Sequence, residues 1–341
     1  MINMIKLFEK WLKQFLLFII KIIVPATSKR GDVYQWQDFD NILVFRLDDR
    51  LGNSLLVLSL VQSIKRSLPH SHIDLMMTVN YILLYRNHPD IHKVIAYDQK
   101  HLFRNPFRFI TLISRLRKNN YDVVFSSSNP DTLSVSQAIF CRLVSKGRSI
   151  GFDWKESALI YSDVVKGDTA LNYAQAQVDL WRYFDHQAIY DPPKIYFIEN
   201  LILKPEKDIL IWLGATGNKI LSETMVSGLL EIVDELDLMY TLAAGPHDEN
   251  VIKRYSADLQ KQIRIQRLDL EGISKFFKTF KLICMPDTGP MHLVAALNIP
   301  LIQVFVDSNT KQYGYSGENK LIIDRILEKE SATKFIKKFV T

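Results

Sequence analysis

Cysteine is nearly absent from the chain. Its 341 residues include two, Cys141 and Cys284, with no C-x-x-C pair and no Cys/His spacing of the kind that holds zinc. That count excludes a disulfide framework and fits a reducing compartment. Cys284 sits in the apolar run Leu282–Met285 and reads as a small core residue. A long apolar run is missing too. The segment "MIKLFEKWLKQFLLFIIKII" is interrupted by Lys6, Glu9, Lys10, Lys13 and Lys21, so it never reaches the ~18 apolar residues of a spanning helix. No A-x-A-like site follows it, which argues against a cleaved signal peptide. Short repeats and low-complexity tracts are also lacking. What remains, with 48% hydrophobic residues, 13 Gly and 12 Pro, is a globular chain long enough for two domains.

Charge narrows the partner classes. Forty-three basic against 37 acidic residues give a net charge of +6, which favours an anionic partner. No nucleic-acid motif and no basic–aromatic interleaving accompany that charge, so nucleic acid is not expected. At about 100° per residue, Lys6, Glu9, Lys10, Lys13, Gln14 and Lys21 fall on one side of the N-terminal segment. Phe8, Trp11, Phe15, Phe18 and Ile22 fall on the other. Residues 1–25 therefore read as a basic amphipathic helix. Such a helix lies in an anionic membrane interface or packs on the protein's own body. The first option implies a protein held peripherally at a membrane surface; with the family resemblance given below, that surface would be the cytoplasmic face of the inner membrane.

Beyond Pro25, strand-like and helix-like runs alternate. Strands are predicted at 41–47, 72–78, 93–98 and 121–127, with helices at 52–68, 80–87, 106–119 and 132–145. The helix-rich stretch 170–184 and the turn-prone "YDPPK" then mark a boundary. Strands follow at 208–214, 239–245, 262–268, 281–286 and 300–306, and a basic helix closes the chain. This is the βαβ alternation of open parallel sheets. It predicts an α/β protein of two doubly wound, Rossmann-like domains, 38–190 and 200–325, with a C-terminal helix at 326–341. Ligands would sit in an inter-domain cleft, at the C-terminal ends of the strands.

The stretch "MPDTGPMHLVAALNIP" carries the most chemistry. Asp287, Thr288 and Gly289 follow a strand directly, and Pro290 suits the first turn of a helix. The unsatisfied amides of that turn make an anion site, and Gly289 lets a phosphate come close. Thr288 offers a hydroxyl, and His292 is placed one turn in, facing the same crevice. An ordinary helix cap at Asp287 or Thr288 explains the same residues equally well.

"PDTGPMHLVAALNIPLIQVF" resembles the signature of glycosyltransferase family 9, the heptosyltransferases of the bacterial lipopolysaccharide inner core. It differs in having Asn298 where the family usually has Gly. "ILIWLGATGNKILSETMVSGLLEIV" resembles the family's strand–loop–helix that opens the second domain, with Thr216 and Lys219 in its A-T-x-x-K loop. "LAAGPHDENVIKR" resembles the ribose-contacting segment, with His247 or Asp248 near the acidic position. "IGFDWKESALIY" resembles a first-domain segment facing the acceptor and contains Asp153.

The resemblance implies the GT-B arrangement of two facing domains. The donor, an ADP-activated heptose, would bind Thr216, Lys219, His247, Asp287, Thr288, Gly289 and His292. The acceptor, a lipid A–Kdo inner core, would meet Arg46, Arg50, Gly52, Asn53 and Asp153. It also implies inverting transfer with no metal or other cofactor, Lys219 neutralising the departing diphosphate.

The family's base is an Asp in an [RK]-x-x-x-x-G-D turn after the first strand. Here "FRLDDRLGNSLLVLSL" has Asn53 at that position and one extra residue between Arg46 and Gly52. An amide cannot take up a proton as a carboxylate does. Asp49 or Asp48 in the longer turn would then serve as base, with D-R-L-G favouring Asp49. The alternatives are a nucleotide-sugar-binding homologue with lost or weak transfer, or a family-9 transferase using another sugar or acceptor.

Overall fold

The computed structural model describes residues 35–98, 106–155, 157–198, 204–249, 252–253, 255 and 262–341. The helix expected over 1–25 lies outside them. One compact unit holds the described chain to Asp49 with Leu56–Ile82 and His88–Pro192. The other holds Arg50–Leu55, Leu83–Asn87 and Pro193–Thr341.

The first unit is built on six strands: β1 (Asn41–Phe45), β2 (His72–Thr78), β3 (Lys93–Tyr97), β4 (Val123–Ser126), β5 (Arg148–Phe152) and β6 (Asp163–Val165). Every pairing is parallel and the order is β3-β2-β1-β4-β5-β6. Helices α1 (Leu51–Ser67), α2 (Pro106–Arg117) and α3 (Val135–Val144) lie between them, and α4 (Tyr173–Arg182) follows β6. The apolar runs of β1 and β4 are buried because helices cover both faces of a parallel sheet. Leu43, Phe45, Val124 and Phe140 meet in one core of this unit. Serine and asparagine start the helices: Ser134 accepts from the Gln137 amide, and Asn172 from the Ala174 amide.

The second unit repeats this topology. Strands β7 (Lys207–Trp212), β8 (Tyr240–Ala244), β9 (Ile263–Ile265), β10 (Phe280–Pro286), β11 (Leu301–Phe305) and β12 (Lys320–Asp324) form another parallel sheet, ordered β12-β11-β10-β7-β8-β9. Its helices are α5 (Glu223–Glu235), α6 (Leu270–Lys278), α7 (Gly289–Ala296), the single turn α8 (Thr310–Tyr313) and α9 (Lys329–Val340). Read from the first strand of each unit, both orders are 3-2-1-4-5-6, the doubly wound pattern.

Departures from the predicted elements have local causes. Strands β5, β6 and β12 lie outside the predicted set, since "RSIGF", "DVV" and "KLIID" are short and carry charge or Gly among their apolar residues. β6 and β12 are sheet edges, where less burial is required, while β5 is buried at four of its five positions. Residues 79–85 form a 3₁₀ helix, not an α-helix, and β9 keeps only three of the seven residues predicted. Asn298 stands at φ +57°, the left-handed position that follows α7. The Asn298 amide bonds to Ala295 O at 3.1 Å and the Ile299 amide to Val294 O at 3.3 Å, a Schellman motif. That geometry explains why glycine suits the position, and the Asn298 side chain accepts from Asn319 Nδ2 at 3.0 Å.

Candidate active site

In a doubly wound sheet the loops leaving the first and fourth strands diverge where the strand order reverses, and a ligand crevice opens between them. In the second unit those strands are β7 and β10. Lys219, at the end of the loop after β7, reaches Asp287 after β10, with Nζ 2.7 Å from Oδ2. The Asp287 side chain is 2% exposed and that of Lys219 38%, so the acid is buried and the cation half open. The ammonium also lies 5.6 Å from the centre of the Tyr313 ring, a cation–π contact. Asn218 Nδ2 donates to Asp307 Oδ2 at 3.0 Å and ties the same loop to the one after β11. Thr216 is exposed at the start of this turn.

Thr288 is the N-cap residue of α7, yet its side chain makes no capping bond. Its hydroxyl donates to Pro286 O at 3.3 Å instead. The ordinary-cap reading of the turn is therefore not what the structure has, and the amides at the head of α7 keep the partial positive charge of a helix start.

His292 is placed differently from expectation. It is buried, and its Nδ1 is 2.8 Å from the Tyr315 hydroxyl. The Tyr315 main chain is held from both sides by the Gln303 amide, at 2.7 and 2.8 Å. Across its ring lies Gly52, in the first turn of α1, which belongs to this unit. A Cβ on Gly52 would meet His292 Cδ2 at 2.5 Å, so only glycine fits. One on Gly289 would come within 3.4 Å of Leu51 Cβ, so the heads of α1 and α7 lie side by side. Burial pushes the His292 imidazole down to about 4, with Asp287 opposing the shift and Lys219 adding to it. His292 is thus a neutral ring that packs the two helix starts together.

Asp248, after β8, turns inward while its neighbour His247 is exposed. Gly245 N donates to Asp248 Oδ2 at 2.8 Å. The same oxygen occupies the space where a Cβ on Gly214 would go, 2.2 Å from it. Burial raises the Asp248 carboxyl above its ordinary value.

In the first unit the corresponding strands are β1 and β4. Arg46, 2% exposed, donates to Asn129 Oδ1 after β4 at 2.6 Å and pairs with Asp48 at 3.3 Å. Its carbonyl accepts from the Tyr97 hydroxyl at 3.2 Å. Burial, with Asp48 and Asp49 nearby, raises the Tyr97 phenol, which stays a neutral donor. Asp49 is exposed and held by neutral donors: Asn80 Nδ2 at 2.9 and 3.0 Å, and Thr78 Oγ1 at 3.2 Å. Arg50 is exposed, and Asn53 is buried in the first turn of α1 at 9% exposure. Asp153 is exposed after β5, two strands from β1.

The structure thus gathers Lys219, Asp287, Thr288, Gly289, His292 and Gly52 in one unit, and Arg46, Asp48 and Asp49 in the other. Sequence reasoning missed Asn80, Thr78, Asn129, Tyr313 and Tyr315. Each reaches the site from a separate strand or loop, and no spacing rule connects it to its partner. Among the described residues no cluster of three His, Cys, Asp or Glu side chains is placed to hold a metal ion.

Known proteins share this fold. A glycosyltransferase family 9 structure from Veillonella parvula superposes with a TM-score of 0.70 at 15% identity, covering 88% of this chain and 91% of that one. The E. coli heptosyltransferase WaaC with ADP superposes with a TM-score of 0.67 at 16% identity, covering 87% and 99%. Lipopolysaccharide heptosyltransferase 1 of Campylobacter coli is 25% identical over 312 residues, which are 83% of this chain and 89% of the relative. The E. coli K12 protein of the same name is 23% identical over 297 residues, 80% of this chain and 90% of its own length. The family model described as "Glycosyltransferase family 9 (heptosyltransferase)" matches residues 109–338. With two parallel doubly wound sheets of the GT-B type and a family match over most of its length, the chain belongs to glycosyltransferase family 9 and is a glycosyltransferase.

Proposed function

We propose that the chain moves a heptose, with inversion and without a metal, from an ADP-activated donor to a lipid A–Kdo inner-core acceptor of lipopolysaccharide. The Lys219–Asp287 pair at the head of α7 carries this reading. A half-exposed ammonium beside an uncapped helix start is suited to a nucleoside diphosphate. Both relatives named above are lipopolysaccharide heptosyltransferases, and one similar structure was solved with ADP-2-deoxy-2-fluoro heptose.

In the reaction the acceptor hydroxyl gives its proton to Asp49 as its oxygen bonds to the anomeric carbon. The bond from that carbon to the diphosphate breaks, and ADP leaves with its charge met by Lys219 and the α7 amides. Asp287 is then freed to bond a hydroxyl of the transferred sugar. Thr216 and either His247 or Asp248 complete the donor side, while Arg46, Arg50, Gly52, Asn53 and Asp153 serve the acceptor side. The domains that divide these roles are 38–190 and 200–325. Residues 1–25 would lie on the anionic inner face of the inner membrane. Deleting them should move the protein to the soluble fraction; unchanged sedimentation with membranes counts against that anchor.

The test is to offer purified protein ADP-heptose with lipid A–Kdo. Transfer that is lost in Asp287→Ala supports the proposal; transfer from a different sugar nucleotide, with none from ADP-heptose, replaces the donor. A second reading rests on Asn53, whose buried amide stands where the family has its base. No transfer by the wild type, but a gain in Asn53→Asp, would make this a nucleotide-sugar-binding homologue whose chemistry has lapsed.

A further inference from the structure

Gln137 ends a capping-box sequence, Ser134-Val135-Ser136-Gln137, at the head of α3. Its amide bonds to Ser134 Oγ at 3.4 Å, as that motif requires. In such a box the glutamine side chain turns back to accept from the amide of the cap residue. The Gln137 side chain, on a residue 2% exposed, goes elsewhere. Its Oε1 accepts from Leu47 N at 3.0 Å, and its Nε2 donates to Ser126 Oγ at 2.9 Å.

The backbone explains why Leu47 needs such a partner. Successive amides of a strand face alternate neighbours. Phe45 O accepts from Ser127 N on the β4 side, and Arg46 N donates to Met76 O on the β2 side. Leu47 N faces the β4 side again, but β4 has ended at Ser126. A buried amide must be paired, and the Gln137 carboxamide fills the gap where the two strands diverge. An amide N–H can only donate, so the Gln137 oxygen is the atom that faces it.

The far end of this link is fixed too. Ser126 Oγ also accepts from the Tyr161 hydroxyl at 2.8 Å. Gly151 on β5 leaves room for that ring, since a Cβ there would lie 2.4 Å from Tyr161 Cε2. Burial raises the Tyr161 phenol, which stays a neutral donor. A buried chain of bonds thus runs from Tyr161 through Ser126 and Gln137 to Leu47, two residues before Asp49. Asp49 itself is held by Thr78, at the end of β2, and by Asn80 just after it. The turn is gripped at Asp49 from the β2 side and at Leu47 from the β4 side.

We propose that Gln137 is a positioning residue for transfer, fixing the Leu47–Asp49 backbone so that the Asp49 carboxylate meets the acceptor hydroxyl. The inference rests on the reading of Asp49 as the base. Gln137 is buried with both ends bonded, so it acts through the turn and not on the substrate.

The test is a double-mutant cycle in the full chain, with ADP-heptose and lipid A–Kdo. Gln137→Met keeps the length of the side chain and removes both bonds. With rates counted per ADP-binding molecule, it should lower kcat about 10- to 100-fold, the cost of a reacting group misplaced by roughly 1 Å. The KM for ADP-heptose and the Kd for ADP should stay within about twofold of wild type. In the Asp49→Asn background the same substitution should change kcat by less than about twofold, because the base it positions is gone. Ser126→Ala, which removes only the far anchor, should give a smaller fall with the same dependence on Asp49. Equal falls in both backgrounds mark a general loss of packing and overturn the proposal. So does an unchanged kcat in Gln137→Met, or a weakening of ADP binding that accounts for the fall. In each of these cases a loss of transfer in Asp49→Asn leaves the base reading standing. A wild type without transfer, or full transfer in Asp49→Asn, overturns that reading and this inference with it.

Discussion

The turn after β1 and the turn after β10 occupy the two switch points of one repeated topology, and they present opposite charges. After β1 the cation is buried: Arg46 lies inside, joined to Asn129 and Asp48, and Asp49 is the exposed group. After β10 the acid is buried: Asp287 lies inside, and Lys219 is the group open to solvent. The partners of each exposed group follow the same division. Asp49 is held by an amide and a hydroxyl, which orient a carboxylate without supplying a full positive charge. Lys219 has a carboxylate and an aromatic ring, which hold an ammonium near a helix start. The switch point thus presents an exposed carboxylate in one unit and a half-exposed ammonium in the other, the two groups that the proposed transfer uses as base and diphosphate clamp.

Breaking the cationic side should have the largest effect. Lys219→Ala should lower kcat for transfer by about 10²–10³-fold, the usual cost of removing one donor to developing charge. It also leaves Asp287 buried without its ammonium. Urea unfolding should show a loss of about 1–3 kcal/mol, less than for a fully buried pair because Lys219 is partly screened by solvent.

The His292 contact sharpens the comparison next, through pH. Its folded-state value of about 4 lies below the ordinary 6.5, so between these values the unfolded chain binds a proton that the folded one does not. The stability it contributes is complete above pH 6.5 and is lost as pH falls towards 4, by about 3 kcal/mol in total. Urea midpoints measured at pH 7 and pH 4.5 should differ more for the wild type than for His292→Gln. Equal differences would remove His292 as the cause.

Asn298→Gly should have the smallest effect. At φ +57° glycine relieves backbone cost, but Asn298 Oδ1 loses its bond from Asn319. The two nearly cancel, and a change in thermal stability of less than about 1 kcal/mol is expected by calorimetry.

Much of this site was legible before any coordinates. The β10–α7 turn was readable because strand, small polar residues, Pro and helix follow one another within a dozen residues. The doubly wound class followed from alternation of apolar runs, although edge strands β6 and β12 are too short and too charged at their ends to find. What stayed hidden depends on chain segments meeting in space. Nothing in the 68-position separation of Lys219 and Asp287 pairs them, and no spacing shows that Arg46 pairs with Asp48 or that Asn80 bonds Asp49. The neighbours of His292 stayed hidden for the same reason: Tyr315 bonds its ring, and Gly52, 240 positions upstream, lies beside it.

The division of roles meets its most direct test in Asp49→Asn, with ADP binding followed by calorimetry and transfer by a single-turnover assay. Transfer should fall by about 10²–10⁴-fold while the Kd for ADP stays within about twofold of wild type. Transfer that persists in Asp49→Asn, or an ADP affinity that falls as it does in Lys219→Ala, would contradict the assignment of base and clamp to separate units.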